Sequence, residues 1–168
     1  METYLLDTSA LSPLVDASHN KHARATVLIQ RLAPSPIFVS VLALAELRFG
    51  LDLYERSQGM PLPNAQQMLS AAQGYECLDV GHHTAAEYAS IKAAVALRYL
   101  PNVTKQCRKK WVEDWVNQFT GKKLGIDDND LWICAQACEV NFTLIADDKM
   151  KRIKTAEPRL KLLSIGRP

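Results

Sequence analysis

Four acidic positions stand out because the residues around them are apolar. Asp7 directly follows the run Tyr4-Leu5-Leu6, and the doublet Asp147-Asp148 follows Phe142 to Ala146. Glu46 is the only acid between Leu42 and Leu51, while Asp127, Asp128 and Asp130 crowd four consecutive positions. An ionised carboxylate facing a core is costly unless it is paired or holds a metal. If Asp7, Glu46, Asp130 and Asp148 converge, their repulsion demands a cation, and an oxygen-only ligand set suits Mg²⁺ or Mn²⁺. Such a centre suits phosphodiester hydrolysis, in which a hard cation holds the phosphate, acidifies a water and stabilises the departing oxygen. Each acid also has a plainer reading. Asp7 and Asp130 are at positions that cap helices, and Glu46 has Arg48 within reach.

The elements that must position these acids alternate. Tyr4–Leu6 reads as a short buried strand, with a helix from Ala10 capped by Thr8 or Ser9. A helix over His22–Leu32 ends at Pro34 and Pro36, and Ile37–Val39 reads as a second strand. Leu44, Leu47 and Leu51 place a core helix over Leu42–Tyr54, carrying Glu46. Asn64 is positioned to cap a helix to about Gly74, Cys77–Val80 reads as a strand, and Thr84–Leu100 as a helix. Val112, Trp115, Val116 and Phe119 form the i, i+3, i+4, i+7 stripe of an amphipathic helix within Arg108–Phe119. A helix over Asp128–Glu139 and strands over Phe142–Ala146 and Leu160–Ile165 complete the chain. Strands joined by helical crossovers imply an α/β fold with a mostly parallel sheet. In such sheets the working crevice lies at the carboxyl ends of the strands, which is where Asp7 and Asp147-Asp148 fall.

At 168 residues the chain fits one domain over 1–168. No apolar run approaches the ~20 residues that span a bilayer, and the start Met1-Glu2-Thr3 lacks a basic leader, so no membrane contact and a cytoplasmic location are expected. The four cysteines are scattered, fit no zinc or redox spacing and read as reduced thiols. A net charge of +2 does not by itself announce a nucleic-acid partner. The cations are clustered, however: Lys105, Arg108, Lys109 and Lys110 in one stretch, and Lys149, Lys151, Arg152, Lys154, Arg159 and Lys161 in another. Trp111 beside the first cluster suits stacking on an unpaired base while Arg108 and Lys109 hold phosphates; the plainer reading makes the tryptophans core or dimer contacts. Lys149 adds a cation beside the acids. His19, His22, His82 and His83 read as surface residues, and Gly121-Lys122-Lys123-Leu124-Gly125 lacks the spacing of a phosphate loop.

Four stretches carry a family resemblance. Tyr4 to Ser9, Val41 to Gly50, Asn129 to Ala137 and Phe142 to Asp148 resemble, in order, the four acidic segments of PIN-domain ribonucleases, in particular the VapC-type toxins of toxin-antitoxin pairs. The resemblance implies a three-layer α/β/α fold, Mg²⁺- or Mn²⁺-dependent cleavage of RNA, a homodimer and a cognate antitoxin. It makes Asp7, Glu46 and Asp130 metal ligands, with Asp148, or alternatively Asp147, as the fourth acid and Ser9 as a hydroxyl beside Asp7. Ala146 departs from the pattern, which often has Thr or Ser there. Residues 102–123 stand out as an added helical elaboration. An aspartate-nucleophile phosphatase is disfavoured, since it wants a second Asp two residues after the first and position 9 is Ser. A PIN nuclease of RNA processing and a non-catalytic PIN-like scaffold are the remaining alternatives.

Overall fold

The structure, a computed structural model, describes residues 2–104, 107–146 and 148–165, with Asp148 described in its backbone alone. Among these residues five strands, β1 (Tyr4–Leu6), β2 (Ile37–Ser40), β3 (Glu76–Leu78), β4 (Thr143–Ala146) and β5 (Lys161–Ser164), form one sheet in the order β3-β2-β1-β4-β5. Every pairing is parallel, with Leu5 opposite Phe38 on one side and Leu144 on the other. Among the described residues seven helices supply the crossovers: α1 (Thr8–Val15), α2 (His22–Leu32), α3 (Val41–Gln58), α4 (Ala65–Gln73), α5 (His82–Tyr99), α6 (Asp128–Glu139) and α7 (Lys151–Ala156).

A strand covered on both faces must be apolar at every position, which is why β1 and β4 read as unbroken hydrophobic runs. Their alternation sorts the core into two layers. Leu5, Leu144 and Ala146 pack with Ile91, Val95, Leu131, Ile133 and Ile153 of α5, α6 and α7. Tyr4, Leu6 and Ile145 pack on the other face with Leu11, Ala43, Leu47 and Met68 of α1, α3 and α4. The layers are α/β/α, as expected. One buried polar network crosses the sheet edge: the Ser40 hydroxyl donates to Gln136 Oε1 at 2.6 Å, and Gln136 Nε2 donates to the carbonyls of Leu78 (2.7 Å) and Asp79 (3.2 Å). Ser40 also caps α3 by accepting from the Leu42 N–H.

Several expectations change. Helix α1 begins at Thr8 with Asp7 itself as the cap, because the Asp7 carboxylate accepts from the Ser9 N–H. Asn64 precedes α4 without a capping side-chain bond and donates to Asp16 instead. Helix α3 is longer than expected and only one stripe is core; Phe49, Leu53 and Tyr54 face outward. The short helix α7 was not anticipated in the basic stretch.

The amphipathic helix expected within Arg108–Phe119 does not form. Only Val112–Asp114 make a single 3₁₀ turn, and Val112 and Trp115 are buried while Val116 and Phe119 are exposed. The backbone groups are satisfied across the loop rather than up a helix. Leu124 N–H donates to the Trp115 carbonyl, Asn117 N–H to that of Lys122 and Gln118 N–H to that of Tyr99, with Val116 and Lys123 bridged antiparallel. A lone helix of this length is marginal without packing along its whole stripe, and burial of Val112 and Trp115 alone favours the loop. The described part of the segment 102–123 is therefore irregular and not helical. Lys105 lies outside the described residues.

Candidate active site

The strand order reverses between β1 and β4, so the carboxyl ends of these two parallel strands open onto a crevice. Asp7 stands there, buried to 2% exposure. Its Oδ2 accepts from the Ser9 N–H at 3.2 Å and the Ser9 hydroxyl at 2.6 Å. Burial pushes the Asp7 carboxyl above its ordinary range, and the Ser9 hydroxyl and the Lys149 charge draw it partway back.

Asp130 enters from the first turn of α6. It completes a reciprocal cap: Asp127 Oδ1 accepts from the Asp130 N–H and Asp130 Oδ2 from the Asp127 N–H, each at 2.9 Å. Capping and a place in the crevice are thus compatible for this residue. Its other oxygen, Oδ1, accepts from Lys149 Nζ at 2.7 Å. Burial raises the Asp130 carboxyl to about 6 in spite of that partner. Burial alone would depress the Lys149 amine, but the Asp130 carboxylate beside it holds it above its ordinary value.

Glu46 comes from α3, on the opposite layer. Arg48 does not pair with it, being joined to Asp52 at 2.8 Å. Glu46 Oε1 accepts from Asn129 Nδ2 at 2.7 Å, and Oε2 accepts a short bond from the Thr8 hydroxyl. Thr8 and Asn129 were not among the expected site residues; the signal was their adjacency to Asp7 and Asp130, the type of position from which a polar side chain reaches a neighbouring acid.

Asp7, Thr8, Ser9, Glu46, Asp127 and Lys149 share one open cleft of about 320 Å³, to which half-buried His19 also contributes. His19 was expected on the surface. Asp147 lies outside the described residues, as does the side chain of Asp148, and so does the choice between them. Among the described residues no three acidic, histidine or cysteine groups are close enough to hold a metal. The donor set is nonetheless all oxygen, and a positive charge, the Lys149 ammonium, already lies against Asp130.

Arg108, Lys109 and Trp111 do not line this cleft. They belong to the loop after α5, where Lys110 Nζ stands 4.6 Å from the Trp111 ring centre and Arg108 6.0 Å from that of Trp115. Of the second basic cluster, Arg159 is spent on Glu157 and Glu87, and Lys154 on the Leu160 carbonyl. Cys134 is buried against Met150, and all four cysteines are free thiols. Among the described residues no helix is long and apolar enough to cross a membrane.

The fold and the crevice together define a parallel α/β domain with buried acids at its topological switch. The PIN domain model matches residues 4–156, and the chain belongs to this family of nucleases. A comparison of the sequence with curated proteins found no match. Among solved structures, VapBC2 of Rickettsia felis, bound to a DNA fragment from its promoter, is 22% identical with a TM-score of 0.65, covering 96% of this chain and 98% of that one. FitAcB of Neisseria gonorrhoeae is 20% identical with a TM-score of 0.59, covering 96% and 97%. VapBC-1 of nontypeable Haemophilus influenzae is 22% identical with a TM-score of 0.57, covering 97% and 98%.

Proposed function

We propose that the protein is a Mg²⁺- or Mn²⁺-dependent endoribonuclease, the VapC-type toxin of a toxin-antitoxin pair acting in the cytoplasm. The observation that carries the reading is the pair of nearly fully buried carboxylates, Asp7 lining the cleft and Asp130 just behind it, the second held by Lys149, which itself lines the cleft. Buried acids of this kind are held at a cost unless positive charge is brought to them.

In this reading Asp7, Glu46, Asp130 and Asp148, with Asp147 as the alternative fourth acid, hold the metal. When bound, the divalent cation acidifies a water and stabilises charge on the scissile phosphate. Ser9 fixes the Asp7 carboxylate, and Thr8 and Asn129 fix that of Glu46, so neither acid needs to reorient. Lys149 exchanges Asp130 for a phosphate oxygen of the RNA, and Arg108, Lys109 and Trp111 contact the strand farther along. An antitoxin and a second copy of the chain are the expected protein partners. Exposed Phe49, Leu53 and Tyr54 of α3 support this, since exposed apolar side chains grouped along one element favour a covering partner.

The test is cleavage of a total-RNA pool by purified protein with Mg²⁺ or Mn²⁺, beside an EDTA control and the Asp7→Ala and Asp130→Asn variants. Metal-dependent cutting that both variants lose is expected. A folded wild type that cuts nothing under either metal, or variants that cut equally well, would overturn the assignment in favour of a binding scaffold.

A further inference from the structure

A second pocket, of about 550 Å³, lies between α5 and the loop that follows it, lined by Tyr88, Lys92, Arg108, Lys109, Lys110 and Trp115 over a floor of α5 alanines. We infer that this pocket is an exosite for single-stranded RNA, taking a phosphate of the substrate on Arg108, Lys109 and Lys110 outside the carboxylate cleft. The inference rests on the nuclease reading for its substrate and deepens it by fixing where the strand must extend.

The charge is specific to the pocket. Lys92 is neutralised by Asp128 at 2.8 Å and also donates to the Tyr88 hydroxyl, so it serves the scaffold. Arg108, Lys109 and Lys110 are exposed, and among the described residues none forms an ion pair. Arg108 lies over Trp115 and Lys110 over Trp111, contacts that leave the N–H groups open to an anion. The floor is made by Ala89, Ala93 and Ala96, three small side chains spaced along one face of α5, with no group that competes for the cations. The Tyr88 face is taken by Trp132, at 4.0 Å and nearly parallel, and Trp115 is buried. Trp111, 57% exposed, is the ring on the rim that an unstacked base can cover. An open recess of this size, with a ring on its rim, suits a splayed nucleotide of a single strand.

The pocket is tied to the cleft by α6. Asp128, which holds Lys92, is the neighbour of Asp127, which lines the cleft, and the Asp128 N–H donates to Glu113 Oε1 of the loop at 3.1 Å. The two recesses flank one helix N-terminus, on the order of 10 Å apart, the width of a helix. A strand cut in the cleft reaches the exosite only if it continues past the scissile bond.

The experiment measures fluorescence anisotropy of a labelled 12-nucleotide single-stranded RNA, in EDTA so that nothing is cut, across a KCl series. Wild type is compared with the triple variant Arg108→Ala, Lys109→Ala, Lys110→Ala and, independently, with Ala93→Glu, which puts an anion on the exposed floor without touching the core. Affinity at least ten-fold weaker in both is expected, with the slope of log K against log salt reduced by about 0.7 in the triple variant for the one phosphate no longer neutralised. Unchanged affinity and slope overturn the exosite. So does a polyglutamate peptide that binds wild type as tightly as the RNA and is lost in both variants, which would mark a site for an acidic protein segment. RNA bound through these three cations but never cut under any metal sinks the nuclease reading and keeps the pocket. Metal-dependent cutting by a protein whose triple variant binds RNA unchanged does the reverse.

Discussion

Replacing Asp130 by Asn should make the metal-free protein more stable at neutral pH, although it removes an ion pair. Burial lifts the Asp130 carboxyl from 3.8 to about 6 with Lys149 already in place, so the folded state holds its proton more tightly than the unfolded chain does. Above pH 4 the unfolded state therefore binds fewer protons, and stability falls as pH rises from about 4 to about 6, then levels off. At about 1.4 kcal/mol for each tenfold change in acidity, the ionised side chain costs the fold about 3 kcal/mol at pH 7. Asn keeps the shape and stays neutral, so Asp130→Asn should gain up to that amount at pH 7 and nothing at pH 3.5. Urea midpoints in EDTA at half-unit steps from pH 3.5 to 7.5 read this directly. Mn²⁺ should then reverse the order, since a ligand at a thousand times its Kd adds about 4.1 kcal/mol to the state that binds it. A variant less stable than wild type at pH 7 in EDTA, with a gap that does not change between pH 4 and 6, would refute the reasoning.

Four further outcomes follow from the geometry. Lys149→Met strands the buried Asp130 charge and should cost about 1–2 kcal/mol at pH 7 by urea unfolding, with the loss absent at pH 4 where Asp130 is protonated. Gln136→Ala leaves Ser40 and the Leu78 carbonyl without their partner and opens a cavity, for a loss of about 2–4 kcal/mol on denaturant titration. Gly125→Ala places a Cβ at φ +62 and 2.9 Å from Arg152 Nη1, and should lower stability by about 1–2 kcal/mol. Removing Arg152 relieves only the steric part of that loss. Asn129→Ala frees one oxygen of Glu46 and, if the nuclease reading holds, should weaken Mn²⁺ binding roughly 10-fold by calorimetry, as loss of a ligand's supporting bond does.

What the sequence made legible depended on how local each cause was. The strands β1 and β4 were plain because both faces are covered and every residue must be apolar, and Asp7 was plain because it ends such a run. Glu46 announced itself by being polar inside an apolar helix. Its partners did not, since Thr8 and Asn129 lie 38 and 83 positions away and meet it only once two layers have closed on the sheet. The stripe at Val112, Trp115, Val116 and Phe119 misled for a related reason. Helical spacing states what a segment could bury, whereas long-range backbone bonds to Tyr99, Lys122 and Lys123 decided what it did bury. The separation of Arg108, Lys109 and Trp111 from the cleft was likewise a matter of tertiary placement.

The two layers meet at the candidate site: Glu46 comes from the layer of α1 to α4, Asp130 from that of α5 to α7, and Asp7 from the end of the strand between them. The acids therefore become neighbours only when both layers have docked on the sheet. A contact completed only after the folding barrier shows in the unfolding rate and not in the folding rate. A cation gathered at that seam would act as a clasp, setting the lifetime of the folded chain as well as its chemistry.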